Sequence, residues 1–259
     1  VKIFVLIFLA AVGAFAQGAN KGKQIVLDAV QGMGGEKFLS MRNRVETGRA
    51  FSFYREQVTG LSRATIYTEY LDKVPEKGLG VREREAFGKK QDYSVLFLED
   101  EGYQINYRGA RPVADETWKK YQKTTGSNIF YLMRMRLKDP KLAYDFVRSD
   151  VVLNTQVNIV DIADGSNNPI RVYFDINTKL PIRQESSAYD PVGRGRTKEV
   201  TDYSKYRDSA GVQWPWVIHR ERNGETIYEM FASSVEINTE LPPKTFDLPP
   251  GIKILKKVD

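Results

Sequence analysis

A period of two dominates the hydrophobic pattern of this chain. Between Arg171 and Arg183, RVYFDINTKLPIR, the residues Arg171, Tyr173 and Asp175 alternate with Val172, Phe174 and Ile176. Asn177 to Lys179 make a turn, and Leu180-Pro181 opens a returning strand. Such alternation puts one face of a strand on a core and the other in water. A proline fits the first position or an edge of a strand, where no ladder donor is missed. The same form recurs on both sides. Strands are predicted over 44–55, 61–71, 82–87, 93–98, 103–108, 144–148 and 156–163 before this hairpin, and over 183–189, 197–206, 213–222 and 226–238 from its second arm onward. Gly88-Lys89-Lys90, Glu99 to Gly102, Asp164 to Asn168, Gly193, Gly195, Gly211 and Asn223-Gly224 stand at the corners, with the residue types that tight turns require.

The period changes to that of a helix at two places. Ile25, Val26, Ala29, Val30 and Met33 follow helical spacing, Gly34-Gly35 interrupts, and 36–41 resumes briefly. A second helical region starts at Asp115, carries Trp118 and Tyr121, and restarts after Thr124-Thr125-Gly126 as a helix over 128–138 that Asp139-Pro140 ends. In that last helix Ile129, Met133 and Leu137 lie four apart with Phe130 beside them, under Arg134, Arg136 and Lys138. An apolar, Met-containing face of this kind suits core packing against a sheet or a movable lid over an apolar cavity. The prediction is an α+β fold: about eleven strands in a single curved antiparallel sheet with a helix pair on one face. No linker or shift in composition divides residues 17–259, so one domain is expected.

Composition adds a compartment and removes several chemistries. With 41% hydrophobic and 28% charged residues among 259, the chain is that of an ordinary folded protein. Lys2, the apolar run Ile3 to Val12 and Ala14-Phe15-Ala16 form a secretory signal peptide, residues 1–16, with cleavage after Ala16. Its apolar run of about ten residues is too short against the roughly 20 of a spanning helix, so no stable membrane span is expected after cleavage. There is no cysteine, hence no disulfide, no thiol-linked lipid and no catalytic thiolate. The positive excess is modest and lies in mixed-sign stretches such as VRERE at 81–85 and RGRTKE at 194–199, which read as solvated strand faces. Nucleic acid is therefore not an expected partner, while weak attraction to anionic lipid headgroups fits the charge.

Candidate catalytic groups are few. His219 is the only histidine, which removes multi-histidine metal sites and leaves a single candidate base, in a predicted strand. Gly60-Leu61-Ser62-Arg63-Ala64 approaches a nucleophile elbow, but a strand rather than a helix follows the serine. Asp161 to Asn168 has calcium-loop residue types without the spacing or the closing glutamate. No cofactor, metal or enzymatic activity is expected. The informative set is aromatic: 14 Tyr, 13 Phe and 3 Trp, spread mainly along strands. A curved sheet closed by helices has a concave interior, a usual place for an apolar ligand. Its expected lining is Phe130, Met133 and Leu137 from the helix and Tyr93, Phe97 and Phe174 from the strands. Trp214-Pro215-Trp216 reads as an edge or rim.

The strand and turn Tyr173 to Pro181, the pair Asp202-Tyr203-Ser204-Lys205-Tyr206 with Gly211 to Pro215, and the closing Val235 to Asn238 with Phe246-Asp247-Leu248-Pro249 together resemble the LolA/LolB-like superfamily of periplasmic lipoprotein-sorting proteins. The signal peptide and the early Gly34-Gly35 fit as well. The resemblance covers most of the mature chain. It implies an unclosed half-barrel with helices as a lid and an apolar cavity for lipoprotein acyl chains or other lipids. It further implies a soluble periplasmic carrier toward the outer membrane, with transport partners at the inner and outer membranes. The missing cysteine points away from a lipid-anchored receptor form. Two rivals stand beside this reading: a non-enzymatic envelope protein using the fold as a partner-binding module, with an exposed patch around Trp214 and Trp216, and a hydrolase using His219.

Overall fold

In the computed structural model, thirteen strands form one antiparallel sheet; the structure describes residues 18–72, 78–165, 169–190 and 195–258. The predicted signal peptide lies outside the described residues, as do 73–77 and the predicted corners at 166–168 and 191–194. The first meander is β1 (Asn43–Tyr54), β2 (Gln57–Tyr70), β3 (Val81–Phe87), β4 (Tyr93–Phe97), β5 (Gly102–Asn106) and β6 (Gly109–Pro112). The second is β7 (Ala143–Val152), β8 (Thr155–Ala163), β9 (Ile170–Asp175), β10 (Pro181–Asp190), β11 (Gly195–Ser209), β12 (Val212–Arg222) and β13 (Glu225–Ile237). Pairing of β1 with β13, from Arg44 opposite Ile237 to Ser52 opposite Tyr228, joins the two into one sheet whose outer edges are β6 and β7.

One strand, β6, goes beyond the predicted runs, and several others run longer than predicted for reasons of turn chemistry. The β1–β2 hairpin turns through Arg55 and Glu56, with φ of 49° and 61°, and the β7–β8 hairpin through Leu153 and Asn154, with φ of 51° and 58°. These are left-handed two-residue turns built without glycine, so the strands run longer than composition suggested. Strand β6, GARP, is too short and too rich in Gly and Pro to show a period. Its outer edge is covered: the Ala110 amide donates to the Lys253 carbonyl at 2.9 Å, and the Leu255 amide donates to the Ala110 carbonyl at 2.8 Å. That pairing with the C-terminal tail blunts an otherwise open edge.

Since β6 and β7 lie at opposite edges, residues 113–142 must cross the whole sheet, and they do so as α3 (Asp115–Gly126) and α4 (Ile129–Met135). The N-terminal helix α1 (18–32) contributes to the same core as α4 and is followed by the single turn α2 (Glu36–Leu39). Gly34 and Gly35 end α1 as a Schellman motif: the Gly35 amide donates to the Val30 carbonyl at 2.9 Å and the Gly34 amide to the Gln31 carbonyl at 3.0 Å. Gly34 has φ 121°, which a residue with a Cβ resists. Among the described residues, no helix is long and apolar enough to cross a membrane.

The main core lies between α1, α4 and the inner face of the sheet, where Val26, Val30, Met33, Ile129 and Met133 meet Val160, Ile162, Val172, Phe174 and Trp214. The β9–β10 hairpin has its first arm buried on both faces: Phe174 points into this core, while Tyr173 packs with Val157 and Ile159 on the outer side. Trp214-Pro215-Trp216 corrects the expectation of a rim. Trp214 is 3% exposed and belongs to the core. Proline is tolerated in this internal strand because β12 pairs with β13 only from Val217 onward, so Pro215 has a single neighbouring strand. Trp216 is half-buried under the Arg207 guanidinium, 4.2 Å from its ring. No exposed tryptophan patch forms there.

Candidate functional site

The crossing from α3 to α4 positions the candidate site. Trp118 and Tyr121 anchor one side of α3 on β4, with the Tyr121 and Phe97 rings stacked at 3.7 Å between centroids and 5° between planes. Glu116, Lys119, Lys120 and Lys123 line a cavity on another side of the helix. Helix α4 begins at an Asn128 cap, whose side-chain oxygen accepts the Phe130 amide at 2.9 Å. The junction is tied to β10 by Gln184: its Oε1 accepts the Ile129 amide at 2.9 Å and its Nε2 donates to the Ser127 carbonyl at 3.1 Å. Arg134 donates twice to the Met41 carbonyl, and the Tyr131 hydroxyl donates to the Leu79 carbonyl. Ile129 to Met133 are all buried. Thus of the two readings open for α4, core packing or a movable lid, the structure has it as a plug held in the core, and α3 is the helix that borders the opening.

The helices do not fill the concavity. A cleft of about 450 Å³ runs past the junction, walled by Leu79, Leu132, Leu142, Ile162, Pro169 and Ile170, with Arg136 bridged to Asp164 at its rim. Beside it lies a wider mouth of about 650 Å³ between α3 and β10–β13, lined by Tyr203, Ile218, Tyr228 and a set of charged side chains. Cleft and mouth share Lys123, Ser127 and Ser186. A third hollow of about 150 Å³ reaches Phe130, Trp214 and Arg44.

The six residues expected to line one cavity do not do so, although Phe130, Met133, Phe174 and Leu137 meet in the main core. Phe130 borders the small hollow, packed between Tyr203 and Trp214. Met133 and Phe174 are sealed in the main core at 0% and 1% exposure, and Leu137 packs on its margin. Phe97 belongs to the separate Trp118–Tyr121 cluster. Tyr93 is 40% exposed beside Phe87.

Sequence reasoning also missed a set of inward charges. In VRERE, Arg82 and Arg84 occupy the outer face, on Glu69, Glu99 and the Thr245 carbonyl, whereas Glu83 borders the small inner hollow. The stretch is therefore not a uniformly solvated face; its period of two sorts the charges by sign. Arg44 is almost wholly buried and donates to Glu46, to the Tyr70 hydroxyl and to Thr68 Oγ1, with its guanidinium 4.1 Å from the Trp214 ring. Burial, with the charge of neighbouring Glu85, pushes the Glu83 carboxyl up to about 8. Burial raises Glu85 as well, against the opposing pull of Arg220. His219 is half-buried between Glu229 and Glu221, each 3.1 Å from a ring nitrogen; burial disfavours its charged form, but the two carboxylates outweigh it and raise its pKa. Among the described residues, no group of three acidic or histidine side chains could hold a metal ion.

No protein-family model matches the sequence, and no curated protein matches it significantly. Solved structures do. A Vibrio parahaemolyticus domain named for outer membrane lipoprotein sorting superposes with a TM-score of 0.60 at 10% identity, over 88% of this chain and 97% of that one. A DUF1329 family protein from Desulfovibrio piger gives 0.61 at 13% identity, over 89% and 97%. A LolA superfamily protein from Nitrosomonas europaea gives 0.55 at 11%, over 87% and 97%. At such identities the likeness is one of fold.

Proposed function

We propose that this chain, whose fold is LolA-like, is a non-enzymatic periplasmic carrier that takes the acyl chains of lipids or lipoproteins into the cleft beside the α3–α4 junction. The observation that carries this reading is the cleft itself. It is an apolar-walled space of about 450 Å³ in the concavity of an open sheet, within the roughly 300–1,000 Å³ typical of small-ligand sites. Transfer of an acyl chain into it needs no covalent chemistry, because each buried CH₂ contributes about 0.8 kcal/mol. Export rests on the signal peptide read in the sequence, and delivery toward the outer membrane, with loading and unloading partners at the two membranes, on the likeness to lipoprotein-sorting domains. The lining shifts from the aromatic set first expected to Leu79, Leu132, Leu142, Ile162 and Ile170.

Displacement of a fluorescent fatty acid from the mature chain tests this. Saturable binding is expected, and Ser186→Trp, which puts an indole where cleft and mouth meet, is expected to weaken it by about tenfold or more while circular dichroism stays unchanged. Absence of saturable binding, or binding indifferent to Ser186→Trp, overturns the reading.

A further inference from the structure

The mouth is charged in a way an acyl chain does not require. Five cationic side chains line it, Lys119, Lys120 and Lys123 from α3 and Arg220 and Arg222 from β12, against the carboxylates of Glu116 and Glu199. Glu199 is already engaged, 2.8 Å from Arg222 and 3.7 Å from Arg220. The three lysines form no ion pair among the described residues and are exposed. Glu85, near Arg220, does not line the mouth, and burial raises its pKa. A surplus of positive charge therefore faces the cavity from two opposing walls. Beyond Ser186 the lining turns apolar, with Arg136 already bound to Asp139 and Asp164.

We infer that the mouth binds an anionic, phosphate-bearing head whose acyl chain lies in the adjoining cleft, so that the ligand is an anionic amphiphile. The inference rests on the acyl-chain reading and adds the head. Cations on two sides of a gap match the several oxygens of a phosphate, and the threonine hydroxyls of Thr197 and Thr201 in the same wall are additional neutral donors. A free phosphate ester shares this head chemistry; the cleft adjoins the mouth at Lys123, Ser127 and Ser186, which favours the lipid.

Calorimetric titration of the mature chain with lysophosphatidylglycerol, lysophosphatidylcholine and glycerol 3-phosphate tests it. The anionic lysolipid is expected to bind about tenfold more tightly than the zwitterionic one, the scale of a few partly solvated ion pairs. Added salt should narrow that gap. The triple substitution Lys119→Gln, Lys120→Gln and Lys123→Gln, at exposed positions that carry no packing, should abolish the preference. Equal affinity for the two lysolipids, or a preference that survives the triple substitution, overturns the anionic head and leaves the carrier reading standing. If neither lysolipid binds, both fail. If glycerol 3-phosphate binds as tightly as lysophosphatidylglycerol, the site is for a small anion and the amphiphile is refuted.

Discussion

Glu83 shows how one inward side chain couples this fold to pH. In the folded chain its carboxyl holds its proton up to about pH 8, against 4.5 ordinarily, because burial and the charge of Glu85 both disfavour ionisation. Between those two pH values the folded state binds more protons than the unfolded chain, so stability falls as pH rises and is lowest above about 8. Glu85, also raised, acts in the same direction. So does His219: its folded pKa lies above 6.5, so its contribution is complete below that value and disappears as pH rises through the folded pKa. The lowered carboxylates, such as Glu99 and Asp139, act only under more acidic conditions. Urea midpoints are therefore expected to decline from pH 5 to pH 8. Glu83→Gln should flatten that decline and stabilise the protein above pH 8 by about 1–2 kcal/mol, the full linkage value being reduced by the side chain's partial access to solvent. An equally steep decline in Glu83→Gln would show that Glu83 is ionised in the folded state.

At the scale of elements, two close contacts fix how the helices lie on the sheet. Helix α1 can approach because Gly22 and Gly32 lack a side chain: a Cβ at Gly32 would stand 2.8 Å from the Thr178 carbonyl oxygen, in the turn between β9 and β10. Gly32→Ala improves helix propensity by about 1 kcal/mol, but the clash with backbone should cost about 1–3 kcal/mol. A net loss of stability is expected, while Gly18→Ala in the same helix, with open space around it, should be neutral or slightly stabilising; equal effects of the two in thermal melts would refute the packing account. The second contact is Gln184. Gln184→Ala leaves the buried Ile129 amide without its acceptor, at a cost of about 1–3 kcal/mol, and hydrogen exchange should accelerate at residues 127–130 before it does in β1 or β13. Exchange unchanged at the junction would mean that α4 is held by packing alone.

The same elements show what the sequence disclosed. Period-two runs and the Gly34-Gly35 stop were readable because they are local: a pleat exposes alternate residues, and a Schellman cap needs its glycine wherever it occurs. The Arg55-Glu56 turn was not, since neither residue signals positive φ, and neither was β6, which is held by the tail 140 or so residues later in the chain. The site was least readable. Phe174 and Met133 are large and apolar, which suits a cavity lining on sequence grounds and equally suits the core that they fill. The cleft is walled instead by Leu79, Leu132, Leu142, Ile162 and Ile170 and meets the mouth at Ser127, Ser186 and Lys123, residue types that look like surface, because an unfilled space is set by where crossing helices fail to meet a curved sheet. The sign-sorted VRERE strand and the lysines of α3 were the available signals, and both required knowing which face turns inward.

At the scale of the whole molecule, the open edges and the crossing segment are one design. Two meanders joined through β1 and β13 leave β6 and β7 far apart, the chain must return across the concave face, and that return both builds the core with α4 and leaves a cavity under α3. The mouth is bordered by α3, which has one buried residue, Tyr121, whereas α4 has five. The helix bordering the mouth thus has the smaller buried anchor. The most direct test of the central claim is native mass spectrometry of the mature chain exported by a bacterial host and purified without detergent. The account predicts a one-to-one adduct with the mass of an acyl lipid, released as that lipid on denaturation and lost in Ser186→Trp. A chain of bare polypeptide mass, which stays bare after incubation with lysolipid, would contradict it.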